Sequence, residues 1–163
     1  MSGITVIERK YGFYCAEKRP DPCGIVIFGA SGDLTYRKII PSLWNLFKKN
    51  LLPEKYFILG CSRTEMSDGG FRERARKALL NSRPREHASG LEDFLAAFFY
   101  CRGDYGDAAL YRNVRTRVSE LVKVYRTPAN IMYYLATPPG LFRRIVEGLY
   151  SEKMIKETSG EYR

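Results

Sequence analysis

Four short, nearly continuous apolar runs recur along the chain, at residues 24–28 (GIVIF), 56–60 (YFILG), 98–101 (FFYC) and 131–136 (IMYYLA). Each is rich in β-branched or aromatic residues, the composition of strands covered on both faces. Helical spacing fills the intervals. Leu110, Val114, Val118, Leu121, Val122 and Tyr125 form one apolar stripe, with Arg, Lys and Glu on the opposite face. Ile39, Ile40, Leu43, Trp44 and Phe47 form another, in which Pro41 must kink the helix or begin a new segment of it. Residues 67–80 open on Ser67-Asp68, a helix cap, residues 91–97 continue helical spacing after a breaker-rich loop, and a last helix is predicted over residues 141–155. Strands alternating with helices imply βαβ units, right-handed crossovers and a parallel sheet with helices on both faces. The class is α/β.

Residues 1–23 lack sustained periodicity and close on Arg19-Pro20-Asp21-Pro22, so they read as an N-terminal extension, with the domain running over residues 24–163. Composition supports one folded unit, because 45% apolar and 13% aromatic residues in a chain of 163 suffice for a core. Glu8, Arg9, Lys10 and Glu17 break up the first twenty residues, unlike a targeting segment. No run approaches the roughly 18 apolar residues of a membrane span, so a soluble protein is expected.

Cys15, Cys23, Cys61 and Cys101 are scattered without a C-x-x-C pair, which fits reduced thiols in a cytoplasmic protein rather than a zinc site or a disulfide framework. A net charge of +9 invites a nucleic-acid reading. Against it, Lys and Arg are interleaved with Glu along the helical stretches, as on a solvated face that also suits an anionic substrate, so no nucleic acid is expected. The single histidine, His87, falls in a loop context and reads as solvated rather than catalytic.

Chemistry concentrates where the first strand meets the first helix. Gly29-Ala30-Ser31-Gly32-Asp33-Leu34 leads from one into the other. A pyrophosphate needs a tight turn without side-chain bulk and N–H donors at a helix N-terminus, and glycines at the first and fourth positions supply both. Ser31 adds a hydroxyl, and Asp33 is assigned to capping the helix. The G-x-x-G spacing is weak alone, and the strand before and helix after strengthen it. This points to a Rossmann-like doubly wound parallel sheet, incomplete at about four strands, with its ligand at the carboxyl ends of the strands. After the second strand the chain reads Ser62-Arg63-Thr64 where NAD-binding chains carry an acid for the ribose 2′-hydroxyl. Arg63 can fork two donors onto a 2′-phosphate, with Ser62 and Thr64 as small donors beside it, so NADP is favoured over NAD. Glu65 nearby is a competing anion.

The run from Ile25 to Leu34 followed by Arg37-Lys-Ile-Ile-Pro-Ser-Leu43 resembles the opening of the glucose-6-phosphate dehydrogenase family, and Tyr134-Leu-Ala-Thr-Pro-Pro139 is similar to that family's Leu-Ala-x-Pro-Pro loop. Thr35 and Tyr36 depart from the Ala and Lys common there, which takes one cation away from the phosphates. The resemblance implies that residues 29–34 hold the pyrophosphate of NADP, Arg63 the 2′-phosphate, and Ala136, Pro138 and Pro139 the nicotinamide side. Tyr100, Asp104 and Tyr105 fall where the family approaches the dinucleotide; Tyr100 could equally be a core aromatic and Asp104 a helix cap. It further implies a homo-oligomeric parent enzyme oxidising glucose 6-phosphate in the pentose phosphate pathway. The family's catalytic Glu-Lys-Pro-Phe-Gly and Arg-x-Asp-His-Tyr-Leu-Gly-Lys segments do not occur before Arg163, so this chain is expected to bind coenzyme and turn over nothing. The rival from another class is a non-catalytic NADP-binding or interaction module.

Overall fold

A computed structural model describes residues 6–9, 12–15, 19–82, 89–128 and 130–155. Its centre is a four-stranded, all-parallel sheet of β3 (Cys23–Phe28), β4 (Tyr56–Ser62), β5 (Phe98–Arg102) and β6 (Ile131–Leu135), in the order β5-β4-β3-β6. Chain order runs outward from β3 to β5 and then crosses back to β6. The sense in which the chain steps across the sheet therefore reverses between β3 and β6, the place where such sheets open a crevice at their carboxyl ends.

Alternation along the strands sorts the core into two layers. Ile25, Ile27, Ile58, Phe98 and Tyr100 face one side, against α1 (Ile40–Lys48), α2 (Asp68–Ser82) and α3 (Leu91–Ala96) through Trp44, Phe71 and Phe94. Val26, Phe28, Phe57, Leu59 and Cys61 face the other, against α4 (Ala108–Tyr125) and α5 (Phe142–Ser151) through Leu110, Val114, Ile145 and Leu149. Both faces of β3 and β4 are covered, which is why these strands read as unbroken apolar runs.

The helix signals have local causes. Asp107 Oδ1 accepts from the Ala109 N–H at 2.8 Å and caps α4, while Ser67 Oγ accepts from the Gly70 N–H at 3.1 Å at the head of α2. Pro41 does not break the helix: residues 33–48 are helical without interruption, and a wider π-helical turn over Thr35–Ile39 passes directly into α1 just before the proline.

Two expectations change. β6 is not covered on both faces, since Met132 and Tyr134 are exposed while Ile131, Tyr133 and Leu135 pack on the α4 and α5 layer. Among the described residues it is an edge strand, and its other face borders a groove shared with Ile39, Ser42 and Leu43. The last helix spans Phe142–Ser151, shorter than residues 141–155, and follows a 3₁₀ turn at Pro139–Leu141. Within the N-terminal extension, β1 (Val6–Arg9) and β2 (Gly12–Cys15) pair antiparallel as a separate ribbon, too short to register as sustained periodicity. No described helix is long and apolar enough to cross a membrane. His87 lies outside the described residues.

Candidate functional site

The loop after β3 is shaped by what presses on it. Gly29 has φ +92°, a conformation L side chains rarely adopt, and a Cβ there would run into the Ala136 carbonyl of the loop after β6. The Gly29 N–H is shared between the Cys61 carbonyl and Tyr105 Oη, each at 2.9 Å, and the Ala30 N–H also donates to Cys61 O, at 3.2 Å. The Gly32 N–H and the Thr35 hydroxyl both donate to Gly29 O, at 2.9 and 3.0 Å. The turn is thereby fixed by the ends of β4 and the π-helical turn, with no ligand required.

A cleft of ≈ 550 Å³ opens above it, at the carboxyl ends of the strands and within the usual size of a ligand site. The loop after β3 lines it with Gly29, Ser31 and Gly32, the loop after β4 with Ser62, Arg63 and Thr64, and the loop after β6 with Ala136, Thr137 and Pro138; Tyr105 and Leu141 complete it. Among the described residues its one charged lining group is Arg63, so the cleft suits an anion. Glu65 does not compete for that cation, because its carboxylate pairs with Arg102 at 3.3 Å.

Tyr105 is buried, accepts from Gly29 N–H and donates to Cys61 O at 3.2 Å, while Tyr111 Oη donates to the Tyr105 carbonyl at 2.7 Å. Burial pushes the Tyr105 phenol up to about 12, against a smaller lowering by the Gly29 N–H, so it is neutral at physiological pH. Thr137 Oγ1 is buried and meets no partner in the protein. An unpaired buried hydroxyl costs about 1–3 kcal/mol. On the cleft wall, that orphan is the feature of a surface shaped for a polar ligand, and with the Gly29 cradle and the cation it fits a phosphorylated dinucleotide.

Of the residues singled out from the sequence, Gly29, Ser31, Gly32, Arg63, Tyr105, Ala136 and Pro138 come together on this lining. Ala30 is in the core beneath Gly60, Leu34 is exposed, and neither they nor Asp33, Tyr100, Asp104 and Pro139 line the cleft. Asp33 does not cap the helix: no side-chain bond caps that terminus, and Asp33 Oδ2 pairs with Arg37 at 3.0 Å. The cause is backbone geometry, since the capping position falls on Leu34 in a helical conformation (φ −56°, ψ −41°) rather than the extended one a cap needs. Asp104 does not cap α4 either, Asp107 does; Asp104 Oδ1 accepts from the Gly106 N–H at 2.8 Å. Tyr100 is the core aromatic of β5, with its hydroxyl bonded beneath the Ser62–Thr64 loop. Thr137 and Leu141 were not picked out as site residues. For Thr137 a signal existed, a hydroxyl inside the Leu-Ala-x-Pro-Pro loop; for Leu141 there was none.

Residues 26–163 match the sequence family described as glucose-6-phosphate dehydrogenase, NAD binding domain. The chain is similar to glucose-6-phosphate 1-dehydrogenase of Aggregatibacter actinomycetemcomitans, 44% identical over 144 residues that make up 87% of this chain and 28% of the relative. To the same enzyme of Chlamydia pneumoniae it is 35% identical over 151 residues, 92% of this chain and 30% of the relative. A solved glucose-6-phosphate dehydrogenase in complex with its substrate glucose-6-phosphate superposes with a TM-score of 0.73 at 27% identity, over 82% of this chain and 28% of that one. The chain thus spans less than a third of the length of these relatives.

Proposed function

The chain belongs to the glucose-6-phosphate dehydrogenase family by its dinucleotide-binding domain, and we propose that residues 24–163 form the NADP-binding part of a glucose-6-phosphate 1-dehydrogenase. Gly29, Ser31 and Gly32 receive the pyrophosphate, Arg63 the 2′-phosphate, and Ala136, Thr137 and Pro138 the nicotinamide side. Ala30, Asp33, Leu34, Tyr100, Asp104 and Pro139 support the loops rather than touch the coenzyme. The observation that carries this reading is Arg63, a cation at the end of β4 on a cleft with no other charge among the described residues, while Glu65 pairs with Arg102.

Held by Gly29, Ser31, Gly32 and Arg63, NADP would supply the hydride acceptor for oxidation of glucose 6-phosphate at C1 to the lactone in the complete enzyme. Among the described residues the cleft lining contains no carboxylate and no imidazole, and the Tyr105 phenol, pushed up to about 12, is a donor rather than a proton acceptor. The base for the C1 hydroxyl comes from outside this lining, so the cleft by itself binds and orients. In the complete protein we place the activity in the cytoplasm, in a homo-oligomer, without a role for nucleic acid. Pairing of basic helix residues with acids, as in Arg76 with Glu73 and Glu92 and Arg143 with Glu147, supports the last point.

Calorimetric titration with NADP, NAD and ADP tests the proposal. Saturable binding with NADP tightest is expected; absence of binding by either dinucleotide would end it.

A further inference from the structure

Two loops of the cleft are joined by a pair of hydroxyls. Thr64 Oγ1, after β4, donates to Ser31 Oγ, after β3, at 2.9 Å. A serine hydroxyl has one proton and can accept through its lone pairs. With Thr64 as the donor, Ser31 keeps its own proton for an acceptor in the cleft.

The loop that carries Thr64 is itself held from below. Tyr100 Oη donates to the Thr64 carbonyl at 2.6 Å and lies 2.6 Å from Ser62 Oγ. Because the single phenolic proton goes to Thr64, the Ser62 hydroxyl donates to the phenol. Tyr100 is buried, and burial raises its pKa above the ordinary tyrosine value, so this donor stays protonated at neutral pH. A chain of bonds therefore runs from Ser62 through Tyr100 to the Thr64 backbone, and from the Thr64 side chain to Ser31. It crosses from the loop bearing Arg63 to the glycine turn.

We propose that Thr64 is a positioning residue for the coenzyme that acts through Ser31, orienting its hydroxyl as a donor to the pyrophosphate. The inference rests on the dinucleotide reading above. Its consequence is specific: although Thr64 adjoins Arg63 in sequence, its effect travels through the part of the coenzyme that NADP and NAD share. A residue touching the 2′-phosphate would affect NADP alone.

The test is a double-mutant cycle read by calorimetry with NADP and NAD, on the wild-type chain and on Thr64→Val, Thr64→Ser, Ser31→Ala and the Ser31→Ala/Thr64→Val pair. One hydrogen bond of ordinary net strength corresponds to roughly 2- to 10-fold in affinity. Thr64→Val should weaken both dinucleotides by the same factor within that range, Thr64→Ser should restore binding, and Thr64→Val should add nothing once Ser31 is Ala. Thr64 is exposed, so melting temperatures should be unchanged. Loss confined to NADP, or additive losses in the pair, would overturn the role of Thr64 while leaving the coenzyme site standing. A wild-type chain that binds neither dinucleotide would instead overturn the site, and this role with it.

Discussion

Gly29→Ala should cost the fold a sizeable share of its stability. The backbone there has φ +92°, where an L residue is disfavoured by about 1–2 kcal/mol. The added methyl would also meet the Ala136 carbonyl, a backbone group that cannot rotate aside, with Thr137 Cγ2 at 3.2 Å behind it. Overpacking of this kind costs about 1–3 kcal/mol, for a combined effect of about 2–5 kcal/mol. In a chain of this size each kcal/mol moves the melting midpoint by about 2–4 °C, so a drop of roughly 5–15 °C is expected by circular dichroism. Because the contact joins the loops after β3 and β6, NADP binding should weaken in the folded fraction. Gly140→Ala is the control, since nothing lies within 4 Å of a Cβ there, and it should shift the midpoint by no more than about 2 °C. A Gly29→Ala variant that melts like the control would refute the reasoning that these loops press on each other.

Thr137→Val removes a buried hydroxyl without a protein partner. Denaturant unfolding should show stability unchanged or raised by up to about 2 kcal/mol, while NADP binding falls by roughly 2- to 10-fold; lost stability with intact binding would show the hydroxyl to be structural. Stability should also fall at alkaline pH. Burial pushes the phenols of Tyr105 and Tyr111 up to about 12, above the ordinary tyrosine value of 10.0. Between the two values the unfolded chain has shed protons that the folded chain retains. Stability is therefore full below about pH 10 and declines above it by up to about 1.4 kcal/mol per pH unit for each tyrosine. Urea titrations at about pH 8 and about pH 11 measure this, and equal stabilities would contradict it.

The parallel sheet was legible because covering both faces of a strand demands a continuous apolar run, as in β3 and β4. The same rule misled at β6, where Met132 and Tyr134 extend the run although both are exposed. Arg63 could be found because a residue's place at the end of the second strand is a matter of chain order. Tyr100 was readable as a core aromatic of its strand, yet that its hydroxyl supports Thr64 depends on a contact between residues 36 apart in the chain. Asp33 was misread because its composition suits a cap while the backbone at Leu34 does not, and such dihedrals are set by the π-helical turn that follows. Thr137 was visible as a residue and invisible as an orphan, since burial without a partner exists only in three dimensions.

If Arg63 holds the 2′-phosphate of a dinucleotide in the cleft, calorimetric affinities of the Arg63→Ala variant separate NADP from NAD. A charge-assisted contact is worth about 1.5–3 kcal/mol, so NADP should weaken by roughly 10- to 100-fold and NAD by less than about 2-fold. Equal effects on the two would show that Arg63 does not hold the 2′-phosphate.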